Sequence, residues 1–494
     1  MIRIRGYWVV LIAVLAGESA LAAAPARPNI VWIIVDDMSA NFSCYGESAI
    51  ETPHVDRLAR EGTRFSRAFV TVPVCSPCRS ALITGCYQTT IGAHHHRSGR
   101  GELKIHLPQG VEPVPALFKR AGYYTCIGGF GADRTRLGKT DYNFEWDPAI
   151  YDATDWAGRQ PGQPFFMQVQ LHGGKHRGAQ AKQYDAWAKR VFKEVGSNVS
   201  PEMVVLPPYY PRDPVLVEDW ARYLDAVRYT DKEVGDVIAR LEREEILDET
   251  VVCFMTDHGI SHARGKQFLY DEGIHVPLVM RGPGIKADLV RDDLVEHIDL
   301  TATSLALADV AIPAWMQGRD LLAAKAQPRD AVFSARDRCD ETVEHIRAVR
   351  TERYKYIRNY LHQRPHLQPN AYKDGKAIVK QLRKLHAEGE LNDLQERLLF
   401  SLTRSPEELY DLQADPDELV NLAGDAAYDK VLVELRGRLA RWEKETGDRG
   451  YEPEPEAMYD SDMVVYLGGA RRGPQPSETE RNIEQMKRWA REGK

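Results

Sequence analysis

Two short runs constrain this chain more than any other feature. Asn29-Ile-Val-Trp-Ile-Ile-Val35 and Thr250-Val-Val-Cys-Phe-Met255 are continuous, apolar and rich in β-branched residues. Such runs read as strands buried on both faces, the mark of a parallel sheet covered by helices. Each ends in a pair of potential ligands, Asp36-Asp37 after the first and Asp257-His258 after the second. Adjacent carboxylates at the end of a buried strand repel one another unless cations offset them. A helix N-cap beside a solvated Asp is the simpler alternative for the first pair. In open α/β sheets, however, ligands bind beyond the carboxyl ends of the strands. Both pairs are therefore expected at one site.

Between them lies Val72-Pro-Val-Cys-Ser-Pro-Cys-Arg-Ser-Ala-Leu-Ile-Thr-Gly85. Pro77 suits a first helical turn, and Gly85 is a natural stop. Cys75 then sits at a helix N-terminus, where free N–H groups and the dipole favour an anion and lower a thiol pKa. The chain has seven cysteines among 494 residues, too few for a disulfide framework, and the odd count singles out one thiol. Cys75 is that candidate, and Cys253, within an apolar strand, reads as core.

The remaining polar clusters follow other strands. Pro164–Leu171 ends in His172, with His176-Arg177 just beyond. Tyr123–Ile127 is followed by Gly128-Gly-Phe-Gly131 and Gly138-Lys139-Thr140-Asp141. The glycines lack the order of a dinucleotide fingerprint. The Gly-Lys-Thr is no P-loop, because its first Gly would fall at Asp133. His94-His95-His96-Arg97 cannot point three rings to one side, so it is no ready-made metal cage, but it offers recognition or proton transfer. Arg264 and Lys266 lie in a loop after the second ligand pair.

The chain carries a net charge of −7 with acids and bases mixed, which excludes a global nucleic-acid footprint. Residues 1–22 read as a signal peptide: Arg3 and Arg5, the apolar Val9–Ala16, then Ala20-Leu21-Ala22. No later stretch reaches the roughly 18 apolar residues of a membrane helix. Export to a periplasm or the medium is expected, without stable membrane insertion. Residues 27–327 read as a catalytic domain and 328–446 as a smaller α+β unit. Residues 447–494 form a Pro-, Glu- and Arg-rich extension expected to be partly extended.

Together, Cys75-Ser-Pro-Cys-Arg79 with Leu82-Ile-Thr-Gly85, Asp36-Asp37, Gly138-Lys139, Asp257-His258-Gly259, Lys266 and Glu408-Leu-Tyr-Asp-Leu412 resemble the type I sulfatases of the alkaline-phosphatase superfamily. The match is nearest to the N-sulfoglucosamine sulfohydrolase (heparan N-sulfatase) branch, through the Pro164–Arg177 and Val205–Pro211 segments. The resemblance implies an α/β fold: a large mixed, mainly parallel sheet sandwiched by helices, and a smaller C-terminal domain with a short antiparallel sheet. It implies conversion of Cys75 to formylglycine by a maturation enzyme that reads Cys-x-Pro-x-Arg. The hydrated aldehyde would attack sulfur, and loss of its second hydroxyl proton would expel sulfate. Asp36, Asp37, Asp257 and His258, with the modified Cys75, would hold a divalent cation. Oxygen-rich ligation suits Ca²⁺, with Mg²⁺ or Mn²⁺ open because His258 replaces the commoner Asn.

By the same resemblance Arg79 would hold the diol, Lys139 and Lys266 the sulfuryl oxygens, and His176, or failing it His172, would protonate the leaving oxygen. The substrate would be a sulfated mono-, oligo- or polysaccharide, O- or N-sulfated. His94, His95, His172 and Arg177 would contact it, with Arg336 or Arg338 as further candidates. Two departures stand out: Cys78 where Ser or Ala is usual, and Asp141 where most members have a His, a role one of the three histidines would take. Phosphonate monoester or phosphodiester hydrolysis on the same scaffold is the main alternative. A Cys75-x-x-Cys78 redox protein leaves the distant ligand pairs unexplained. A carbohydrate-binding relative with an unmodified Cys75 is the third reading.

Overall fold

The computed structural model describes residues 27–494 apart from 130–136, 179–180, 326, 449–451, 453 and 471–475. The signal-peptide reading and part of the Gly128–Gly131 run lie outside the described residues. Strands β1 (Asn29–Val35), β2 (Thr63–Phe69), β3 (Tyr124–Gly129), β4 (Phe165–Leu171), β5 (Thr250–Thr256), β6 (His275–Arg281), β7 (Leu289–Arg291) and β8 (Val295–Glu296) form one sheet. Its order is β3-β4-β1-β5-β6-β2-β7, with β8 beside β2. The first four strands of that order run parallel, whereas β6 pairs antiparallel with both β5 and β2. A second, four-stranded antiparallel sheet has the order β12-β11-β10-β9, from β9 (Val332–Arg336), β10 (Ile346–Arg350), β11 (Tyr354–Asn359) and β12 (Glu407–Asp411). This is the expected architecture: a large mixed, mainly parallel sheet flanked by helices, and a separate short antiparallel sheet.

The apolar runs behave as their composition requires. Every residue of β1, β4 and β5 is buried. At roughly 1.5–3 kcal/mol per large apolar side chain, these central strands hold the sheet together. Register then does the work of convergence. Val35 pairs with Leu171 on one side and Thr256 on the other. The chain therefore leaves three neighbouring strands level, and Asp36, His172 and Asp257 emerge together. Asp37 adopts φ +54° at this exit, a left-handed conformation that costs about 1–3 kcal/mol outside glycine.

The helix Cys75–Thr84 is buried along its whole length. Gly85 ends it at φ +67°, donating its N–H to the Ala81 carbonyl. The long helix Pro214–Arg243 packs against the turn Gly173–Arg177, the helix Ala181–Val195 and the helix Pro53–Glu61. The extension beyond residue 447 departs from expectation. It forms two helices, Glu456–Ala470 and Pro476–Arg491, whose Tyr459, Met463, Ile483 and Met486 pack together. The apolar residues spaced along the charged tail close on each other, and that contact stabilises helices that composition alone does not. No helix among the described residues is long and apolar enough to cross a membrane.

Candidate active site

Cys75 is the first residue of its helix and 3% exposed. Its Sγ lies 3.1 Å from His258 Nε2, 3.2 Å from Lys266 Nζ and 3.8 Å from an Asp37 oxygen. Burial alone would raise its pKa; Lys139, Lys266, Lys175 and His258 outweigh burial and hold the thiol well below its usual range. A negative charge borne at position 75 is thus stabilised from several sides.

The three carboxylates are cross-braced by cations. Arg79, one turn into the helix, bonds Asp36 and donates from Nε to Asp257 at 3.2 Å. Lys139 Nζ is 3.0 Å from both Asp36 oxygens. Lys266 Nζ is 3.1 Å from Asp37. For Asp36, burial is overcome by Lys139, Arg79 and Lys175, which hold the carboxyl well below its ordinary value. Asp257 differs: burial, opposed by His258 and reinforced by Asp36, pushes it up to about 6.

The donor set fits a divalent cation. Asp37, Cys75 and His258 offer buried ligand atoms all within 4.8 Å of one another. His258 Nδ1 donates to the Gly259 carbonyl at 2.9 Å, so Nε2, 3.3 Å from Asp37, is the nitrogen that would ligate a cation. That is the tautomer a metal-ligating histidine needs.

Other candidates lie elsewhere. His176 stacks on Trp187, with ring centroids 4.5 Å apart, and faces Glu233 at 3.4 Å. Its ring completes an aromatic cluster with Trp187 and Tyr229 and lies 5.5 Å from the ring of His172. His172 is exposed at the end of β4, and burial and His176 lower its pKa against the pull of the Asp36 carboxylate. Arg177 is 1% exposed, 3.4 Å from Asp219, and lies over the Tyr223 ring. It braces the turn rather than facing a substrate. The His94 and His95 rings are tilted against each other with centroids 4.2 Å apart, and Arg338 N–H donates to His95 Nδ1. Both are turned toward the second sheet. Arg336 and Arg338 are buried as well: Arg338 pairs with Glu454 at 2.6 Å and Asp462 at 2.7 Å, and Arg336 faces Glu344. These arginines cement the two sheets and the extension.

Several groups escape a reading of the sequence. Lys175 pairs with Asp36 and lies 3.9 Å from Asp37. The signal was Gly173-Gly174 directly after β4: a Cβ on either would lie 2.1–2.2 Å from the Asp36 or Asp37 carbonyl oxygen, so only glycine lets the turn close on the ligand pair. Tyr372, far along the chain, donates to Asp37 at 3.2 Å, and Lys266 Nζ lies 4.9 Å above its ring centroid. His96 has a ring nitrogen within 4.8 Å of Cys75 Sγ and an Asp141 oxygen. Cys75 and Cys78 are both free thiols. Cys78 has no exposure, packs into the main core, and burial raises its pKa well above the ordinary value. It serves as a small apolar residue, and the redox-pair reading finds no bond here.

Cys75 at a helix N-terminus, ringed by lysines beside the Asp-Asp and Asp-His pairs at the strand ends, makes a site suited to a tetrahedral oxyanion. The sulfatase family profile matches residues 28–310, and the profile for the C-terminal region of N-sulphoglucosamine sulphohydrolase matches 258–405. The chain belongs to the sulfatase family. It is 31% identical over 474 residues to an ulvan-active sulfatase of Formosa agariphila, covering 88% of this chain and 78% of that one. It is 28% identical over 476 residues to human N-sulphoglucosamine sulphohydrolase, covering 87% and 92%. Among solved structures, a protein in complex with its substrate D-glucosamine-2-N,6-O-disulfate superposes with TM-score 0.60 at 19% identity, over 87% of this chain and 100% of that one. A phosphonate monoester hydrolase of Agrobacterium radiobacter superposes with TM-score 0.57 at 18% identity, over 85% and 96%. At these identities both structures bear on the fold alone.

Proposed function

We propose that this sulfatase is exported and removes sulfate groups from a sulfated carbohydrate through a formylglycine made from Cys75 by a separate maturation enzyme. The observation that carries the reading is the position of Cys75 itself. It lies at the mouth of a buried helix, within 3.2 Å of His258 and Lys266, inside the carboxylate cluster. Asp36, Asp37, Asp257 and His258 would hold a divalent cation, Ca²⁺ by its oxygen-rich donors, which when bound polarises the sulfate and acidifies the nucleophile. Lys266 and Lys139 meet the sulfuryl oxygens, where fixed cations in a dry site stabilise growing charge. Arg79 fixes the residue-75 end of the helix against Asp36 and Asp257. His176, or His172 at the exposed rim with its ring 5.5 Å away, protonates the leaving oxygen.

The substrate class rests on the relatives, one named for ulvan and one for N-sulphoglucosamine. The amino-terminal leader, with its basic start and apolar run, supports export to where such glycans occur. The test is sulfate release from a panel of O- and N-sulfated mono- and oligosaccharides by protein co-produced with the maturation enzyme, alongside a phosphonate monoester and a phosphodiester. A sulfated saccharide turned over best supports the reading; preference for the phosphorus esters overturns it.

A further inference from the structure

His96 is 5% exposed, and its two ring nitrogens have different surroundings. Nδ1 lies 2.9 Å from Asp340 Oδ1. Tyr466, from the first helix of the C-terminal extension, donates to the same carboxylate oxygen at 3.0 Å and lies 3.4 Å from His96 Nδ1. Nε2 is buried and without a hydrogen-bond partner among the described residues. With Nδ1 committed to Asp340, Nε2 is the nitrogen left to face the space shared with Cys75 and Asp141, whose ligand-type atoms lie within 4.8 Å. A carboxylate on one ring nitrogen and an unpartnered second nitrogen, on a ring within 4.8 Å of Cys75 Sγ, is the arrangement of a general base.

The scaffold around this ring is over-determined. The His96 N–H donates to the Arg338 carbonyl, and the Arg97 N–H donates to Ser76 on the nucleophile helix. Asp462 of the extension accepts from the N–H groups of Gly99, Arg100 and Gly101, and pairs with Arg338. The loop carrying His96 is thus clamped between the nucleophile helix and the extension. Tyr466 and Asp462 lie beyond both family profiles, which end at residues 310 and 405.

We propose that His96 is a catalytic residue that accepts the proton of the hydroxyl carried at position 75. Asp340 and Tyr466 are its positioning residues, so the C-terminal extension completes the active site. The inference rests on the sulfatase reading above. In the step itself the proton of the hydroxyl not bonded to sulfur would pass to Nε2, that oxygen would re-form the carbonyl, and the carbon–oxygen bond to the sulfated oxygen would break to release sulfate. The imidazolium so formed is paired with Asp340 and returns its proton to water when product leaves.

Two measurements on the full chain test this. Long-range ¹H–¹⁵N spectra of histidine-labelled protein, with His96 assigned by its loss in His96→Gln, read the tautomer without any turnover. Nε2 unprotonated and Nδ1 protonated is expected; the opposite tautomer overturns the proposal. In the matured enzyme, His96→Gln should lower kcat about 10²–10⁴-fold with little change in KM. Added imidazole should restore part of the activity of His96→Ala, and Tyr466→Phe should lower kcat several-fold at an unchanged unfolding temperature. A His96→Gln kcat within threefold of wild type, or no imidazole rescue, overturns it. If the wild type releases no sulfate at all, the sulfatase reading fails, while the tautomer still decides the geometry.

Discussion

Lys266 shows how one side chain gathers several tasks. It is 3% exposed, yet its ammonium touches Asp37 and Cys75 and lies over the Tyr372 ring. A buried cation of this kind is stable only because its partners are anionic, and removing it leaves their charge unpaired. Lys266→Ala should cost roughly 10²–10³ in kcat/KM on a sulfated substrate, and Lys266→Arg less, measured by steady-state sulfate release. A loss below threefold for the alanine variant contradicts the role. At this scale the sequence was informative where chemistry and position coincide. Cys75, Arg79 and the Asp-Asp and Asp-His pairs stand at strand or helix ends that hydrophobic runs mark unambiguously. Lys175 and Tyr372 were not legible as site residues, because short helical turns outside the strand ends' own pattern bring them in, and His96 was legible only as one of three. No periodicity tells which of His94, His95 and His96, or which of His172, Lys175 and His176, turns toward Cys75.

The elements hold the site through buried carboxylates placed at helix starts. Asp231, on the long helix, accepts from the backbone N–H groups of His54 and Val55, at the start of the helix Pro53–Glu61. Burial raises its pKa to about 7 even though those N–H groups favour the anion. A folded pKa raised above the unfolded 3.8 means that the native state holds the proton longer. The associated stability is fully present below pH ~4 and is lost as pH rises toward ~7. Asp231→Asn keeps an acceptor oxygen and has no proton to lose. Relative to wild type it should therefore gain up to about 1.4 kcal/mol per pH unit between pH ~4 and ~7. Denaturant unfolding of both proteins at several pH values checks this; a gap independent of pH contradicts it. The strands were legible because each of β1, β4 and β5 is a run of buried side chains. The helices of the extension were not, since their apolar residues only acquire meaning against one another.

Across the whole molecule, the sheet delivers β1, β4 and β5 in register, and the second sheet with the extension closes over the nucleophile helix. The ligand set draws Asp36 and Asp37 from one strand end and Asp257 and His258 from another, so an ion held there ties distant parts of the chain. An ion that binds the folded state alone raises apparent stability by mass action. Chelation should therefore lower the unfolding temperature, and Ca²⁺ added back should restore it, as read by calorimetry. An unfolding temperature indifferent to both would contradict the proposed cation site.

In the proposed reaction residue 75 acts as a modified cysteine in a sulfatase site. Its most direct test pairs mass spectrometry of the peptide carrying residue 75 with sulfate release by the same preparation. Preparations with different degrees of maturation should show turnover proportional to the fraction of residue 75 converted to formylglycine, falling to background when only cysteine is present. Turnover that is equal with and without the conversion would contradict the account.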